Sequence, residues 1–107
     1  MSDNFISLSQ AKEYTKKYRE SLNDMLTNDY KGALSYCETF DANAIKSLLD
    51  QEGCVSFRAY YGLNENNQVC SIFVGVDENF EDILSGEKSI IVDRGHTCPD
   101  KCPSNLL

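Results

Sequence analysis

Between residues 8 and 26 the apolar side chains recur three and four positions apart: Leu8, Ala11, Tyr14, Tyr18, Leu22, Met25 and Leu26. That period marks one face of an α-helix. Ser7 precedes the run and Gln10 follows three residues later, which is the spacing of a capping box. Lys12, Lys16, Lys17, Arg19, Glu20 and Asp24 occupy the other, solvated face. Thr27, Asn28 and Asp29 end the helix. In residues 27–38 the pattern blurs. Tyr30, Gly32, Leu34 and Tyr36 alternate as in a strand, yet Ala33, Leu34 and Cys37 also suit a short helix, so the stretch reads as a connector with at most a short edge strand. A second helix is expected over 42–52. Asp41 stands at its N-cap, Phe40 and Ile45 hold the positions of a hydrophobic staple, and Ile45, Leu48 and Leu49 form its stripe. Gly53 stands where a C′ glycine belongs.

The period then changes to two. Residues 54–61 and 69–76 are rich in β-branched and aromatic side chains and read as strands. Asn64, Glu65, Asn66 and Asn67 between them have turn composition, so the pair is expected to form an antiparallel hairpin. A register in which paired positions sum to 131 sets Val55 opposite Val76, Phe57 opposite Val74, Ala59 opposite Ile72 and Tyr61 opposite Cys70. It collects the apolar residues on one face and leaves Ser56, Arg58, Tyr60, Ser71, Phe73 and Gly75 on the other. A third strand is expected at about 88–94, around Ile90, Ile91 and Val92, reached through a connection with a helical turn at 80–84. The order ααβββ gives a two-layer α+β domain. Two N-terminal helices pack on one face of a small antiparallel three-stranded sheet. The domain spans 1–95, and 96–107 forms a tail containing cysteine and proline. No βαβ unit is present, so the crevice that binds nucleotides in parallel sheets is not expected.

Charge narrows the function classes. The 107 residues carry a formal net charge of −7, which argues against direct binding of nucleic acid, since that needs clustered Lys and Arg. No run approaches the ~20 apolar residues of a membrane span. The N-terminus lacks the basic and apolar regions of a signal peptide. The cysteines are Cys37, Cys54, Cys70, Cys98 and Cys102, an odd count. Together these point to a cytoplasmic protein with reduced thiols rather than a disulfide framework.

The tail concentrates the chemistry. His96, Cys98 and Cys102 supply three potential zinc ligands, and the two cysteines fall within the spacing of structural sites. A closed site needs a fourth ligand. Cys54 and Cys70 cannot both help, because they lie at opposite ends of the hairpin, roughly 20 Å apart at ~3.3 Å per residue. The residues alone leave three states open for Cys98 and Cys102: free thiols, a local disulfide, or metal ligands. Cys37, Cys54 and Cys70 read as small buried apolar residues, and Cys37 and Cys70 are expected to react more slowly than the tail pair. A Cys-His-Asp catalytic set drawn from Cys98, His96 and Asp93 or Asp100 lacks rigid support. The carboxylates at Asp77, Glu78, Glu81 and Asp82 read as a solvated loop without the spacing of an EF-hand. No glycine-rich phosphate loop occurs.

In the second half, Gly53-Cys54-Val55, Tyr60-Tyr61-Gly62, Val74-Gly75-Val76-Asp77 and Asp93-Arg94-Gly95, ahead of Cys98-Pro99 and Cys102, resemble a group of short, uncharacterised bacterial proteins. The resemblance covers about residues 40–103. It implies a bacterial cytosolic protein and carries over no functional residue.

The remaining feature is the second sheet face. Arg58, Tyr60 and Phe73, joined by Ile91 from the third strand, are expected to form an exposed aromatic–arginine patch, and Tyr and Arg are enriched at interface hot spots. The sequence therefore points to a small acidic interaction module. It is expected to be non-enzymatic and without a cofactor, binding a protein partner or a second copy through this face. A thiol or zinc protein using His96, Cys98 and Cys102 is the alternative, and an acidic inhibitor that mimics nucleic acid is a further one.

Overall fold

The computed structural model describes residues 4–84, 90–93 and 95–107. The first helix, α1, spans Leu8–Met25, with the Ser7 hydroxyl accepting from the Gln10 N–H at 3.0 Å. Only half of the expected capping box is used, because the Gln10 side chain donates instead to the Tyr14 hydroxyl. A single 3-10 turn over Asn28–Tyr30 follows, and then strand β1, Cys37–Thr39. Helix α2 covers Ala42–Leu49, capped by the Asp41 carboxylate, which accepts from the Ala44 N–H. Strands β2 (Ser56–Leu63) and β3 (Val69–Val76) form the hairpin. β4 is Ile91–Val92 and β5 is His96–Cys98.

The architecture is α+β, with two antiparallel sheets among the described residues. One has the order β2-β3-β4 and the other pairs β1 with β5. The ααβββ expectation holds only coarsely, because the chain forms a strand before α2 and another after β4. Residues 85–89 and 94, which include the ends of the expected third strand, lie outside the described residues. The tail begins as β5, and Cys98 is fully buried.

The helices also divide differently from expectation. α2 packs against β3 and β4, and its Leu48 is fully buried. α1 has no buried residue. It is tied on by the Tyr18 hydroxyl, which donates to the Ser35 carbonyl at 2.7 Å, and by Thr15 and Arg19, which donate to the main-chain oxygen of Leu107. An amphipathic stripe is enough to make a helix but does not specify how deeply it is buried. α2 ends at Leu49 rather than 52. Gly53 has the left-handed φ expected of it (+81°), but it sits in the turn beyond the Asp50 C-cap and is not the C′ residue.

The hairpin register is one step away from the expected one. Paired positions sum to 132: Phe57 opposes Gly75, Arg58 opposes Val74, Ala59 opposes Phe73 and Tyr60 opposes Ile72. The loop sets this. Asn64 and Gln68 close a three-residue connection, with the Asn64 N–H donating to the Gln68 carbonyl at 3.0 Å, and Asn67 takes a left-handed φ of 59°. Three-residue hairpin loops place an αL residue at this position, where Asn is tolerated. The Asn64 carboxamide oxygen accepts from the N–H groups of Asn66 and Gln68 and fixes the turn. Each sheet face therefore mixes the two expected sets. One carries Phe57, Tyr61, Phe73 and Gly75. The other carries Arg58, Tyr60, Ile72, Val74 and Val76. Phe57, Tyr61 and Val55, expected in the core, are exposed, while Val74 and Val76 are buried.

Over residues 77–84 the connection after β3 is a turn, without the helical turn expected at 80–84. The Asp77 carboxylate accepts from the N–H groups of Asn79 and Glu81, and Phe80 takes a left-handed φ of 65°. The chain then returns along β3, where Ile83 N–H donates to the Gly75 carbonyl. Among the described residues no helix is long and apolar enough to cross a membrane.

Candidate functional site

The expected patch of Arg58, Tyr60, Phe73 and Ile91 does not form. The register puts Arg58, Tyr60 and Ile91 on one face and Phe73 on the other. The Arg58 guanidinium and the Tyr60 hydroxyl both donate to the Asp82 carboxylate. Arg58 also donates to the Phe80 carbonyl at 3.2 Å and lies over the Phe80 ring, 4.5 Å from its centroid. The Tyr60 side chain, opposed by partial desolvation and aided by the Asp82 charge, raises the Arg58 pKa above its ordinary value. This cluster fastens residues 80–82 to β2, so its arginine is occupied within the chain. Asp82, expected as part of a solvated acidic loop, is its anchor.

Phe73 meets Phe40 edge-on at 4.7 Å and Phe57 at 5.5 Å. Together with Tyr18, Leu34 and Tyr61 it lines a mostly apolar cleft of about 620 Å³ on that face. Across the cleft, the Ser71 hydroxyl donates to the Glu38 carboxylate at 2.9 Å and joins the ribbon to the sheet.

Among the described residues β2 is the edge strand of its sheet. Because Asn64 bonds inward to Gln68, the alternation of an antiparallel ladder turns the main-chain groups of Phe57, Ala59, Tyr61 and Leu63 outward. The side chains of these residues are exposed as well, Tyr61 at 80%. Between Val55 and Leu63 the only formal charge is Arg58.

The tail residues do come together. β1 and β5 set Cys37 opposite Cys98 and Thr39 opposite His96, so these four side chains share one face of the ribbon, and Glu38 and Thr97 take the other. Cys98 and Cys102 form a disulfide with their Cα atoms 4.8 Å apart. As a disulfide the two sulfurs are not thiolates, the form in which cysteine ligates zinc. They are also not the fast-reacting free thiols expected of a tail. The free cysteines are Cys37, Cys54 and Cys70, each half-buried. His96, Lys101 and Cys102 border an open cleft of about 530 Å³, with Cys37 on its wall. Among the described residues no group of three His, Cys, Asp or Glu side chains is arranged to hold a metal ion.

The sequence reading missed Cys37 and the free edge of β2. Cys37 pairs with a residue 61 positions away, and no local pattern reports such a pairing. The edge was legible in part, because Tyr60, Tyr61 and Leu63 crowd the hairpin end. Comparison with protein-family models, curated proteins and solved structures finds no significant match to this chain.

Proposed function

We propose that this protein is a small, non-enzymatic interaction module that binds a second copy of itself through the outer edge of β2. The observation that carries this reading is the coincidence, on one strand, of main-chain groups that no other described strand pairs and an exposed apolar stripe at Phe57, Tyr61 and Leu63. Monomeric proteins ordinarily protect a long apolar edge with charge, proline or a bulge, and residues 55–63 contain no proline and no acidic side chain. Charge restricts where two copies meet. A chain of net charge −7 repels its twin over most of its surface, whereas two β2 edges meet without opposing carboxylates. Antiparallel pairing of identical strands is isologous and closes as a dimer.

Solution mass measured over a concentration series tests the reading. The expected result is a shift from the 12.1 kDa chain towards twice that mass. Ala59→Pro removes an outward N–H without touching the β2–β3 ladder, and Tyr61→Lys places a charge on the edge. Both are expected to hold the protein at monomer mass with little change in melting. A wild-type mass that stays monomeric throughout overturns the proposal.

A further inference from the structure

Cys37 and Cys98 are directly opposed in the β1–β5 ribbon. Opposed residues on antiparallel strands hold their Cα atoms roughly 4.5–5.5 Å apart, inside the ~4.4–6.8 Å that a disulfide spans. Cys98 is already bonded to Cys102, 4.8 Å away by Cα. One fully buried sulfur thus has two partners in bridging range: Cys102 on its own strand's continuation and the free thiol of Cys37 across the ribbon. Cys37 and Cys102 also line the same cleft, together with His96 and Lys101.

We propose that Cys37, Cys98 and Cys102 form a thiol–disulfide exchange site with Cys98 as the shared central sulfur. The Cys37 thiolate attacks Cys98 Sγ. The Cys37–Cys98 bond forms as the Cys98–Cys102 bond breaks, and Cys102 leaves as a thiolate. The Cys37 sulfur is oxidised and the Cys102 sulfur is reduced. The proton lost by Cys37 ends on Cys102, so this step consumes no external oxidant or reductant. The His96 imidazole is the base at the cleft that accepts and returns this proton, and the Lys101 ammonium supplies a positive charge beside the departing thiolate. Exchange moves the free thiol from a half-buried strand position to Cys102, which is exposed. There it meets the ligand class this chemistry takes, a small or protein-borne disulfide. Attack by Cys102 on such a disulfide gives a mixed disulfide and releases the second half of the incoming molecule as a thiolate.

Trypsin cleaves after Arg94 and Lys101 and leaves Cys37, Cys98 and Cys102 on separate peptides, so peptide mass mapping of the acid-trapped, alkylated full chain reads the linkage directly. Oxidised glutathione is the probe. In the wild type, the expected product carries glutathione on the Cys102 peptide, with the Cys37 and Cys98 peptides linked to each other. Cys37→Ser, which keeps Cys98–Cys102, is expected to load Cys102 at least about tenfold more slowly. In Cys102→Ser held in a glutathione buffer, the Cys37–Cys98 bond is expected to form, so that two of the four remaining cysteines alkylate. Equal loading of Cys102 in wild type and Cys37→Ser overturns the proposal. So does a Cys102→Ser chain with all four thiols free at a glutathione ratio that oxidises Cys98–Cys102 in Cys37→Ser. The wild-type comparison decides the matter even if Cys102→Ser fails to fold.

Discussion

The three-stranded sheet and the two-stranded ribbon meet the same requirement, pairing of main-chain groups, with opposite means. β2 and β3 are eight residues each and are joined by a three-residue loop that fixes their register. Closing so short a loop costs little entropy, and α2 then seals part of the sheet with Leu48. β1 and β5 pair over three residues each and come from distant parts of the chain. Two such short strands are not stable alone. The ribbon depends on attachments: the Cys98–Cys102 link, the Glu38–Ser71 hydrogen bond, and the approach of Gly95 to the Phe40 ring, where a Cβ would lie 2.7 Å from Cζ. The sheet is held by a local loop and a buried core, the ribbon by side-chain fasteners, so the chemistry resides where the main chain is least self-sufficient.

The strongest attempt to break this contrast is Leu48→Ala. Leu48 is at 0% exposure, and truncating a fully buried leucine costs about 2–5 kcal/mol through lost transfer energy and the cavity left behind. Urea unfolding is expected to show that loss for the whole chain, sheet and ribbon together. A cost under about 1 kcal/mol would mean that the core does not centre on α2.

Reducing Cys98–Cys102 should act on the other region alone. Its sequence separation is 4, and a loop that short contributes about 2 kcal/mol in the chain-entropy account. The expected outcome is faster amide hydrogen exchange at 37–39 and 96–98, with protection in 56–63 and 69–76 nearly unchanged. Equal loss of protection in both regions would show one cooperative unit.

Much of the sheet was legible in the sequence, and the reason is local. α1, α2 and both hairpin strands follow from periodicity, and the Ser7 and Asp41 caps form as their spacing requires. The register was misjudged because the apolar alternation assumes one buried face, whereas both faces of this hairpin are partly covered. Phe40 lies against Phe73, and residues 80–82 are fastened to Arg58 and Tyr60. Loop length and the αL conformation at Asn67 decide the register instead. The ribbon was not legible, since Cys37 and Cys98 meet only through tertiary pairing. The tail's cysteines were visible as a chemical cluster, but not their third member.

A smaller effect sharpens the contrast from the sheet side. Asp41→Ala removes the carboxylate that accepts the Ala44 N–H at 3.0 Å, and loss of such an N-cap costs about 1 kcal/mol. The expected result is a lower urea midpoint with an unchanged slope, since α2 frays but the sheet it covers remains. A normal midpoint would place the stabilisation of α2 wholly in its packing.

The smallest expected effect lies at Tyr18, which links α1 to the segment entering β1. Its hydroxyl donates to the Ser35 carbonyl at 2.7 Å, and Tyr18→Phe is expected to cost about 0.5–1 kcal/mol at neutral pH. Burial raises the Tyr18 pKa above its ordinary value of 10.0. Below that value Tyr18 is neutral in both folded and unfolded chains and adds no pH dependence. As pH rises past it, the unfolded chain gives up the Tyr18 proton first, binds fewer protons than the folded one, and stability falls. The phenolate that forms at still higher pH can no longer donate to Ser35. The difference in unfolding free energy between wild type and Tyr18→Phe is therefore expected to be constant up to about pH 9.5 and to shrink above about pH 10. Taking the difference cancels the titration of the other tyrosines. A gap that holds its size through alkaline pH would show that Tyr18 is not desolvated, and that α1 rests on the ribbon without a buried contact at this point.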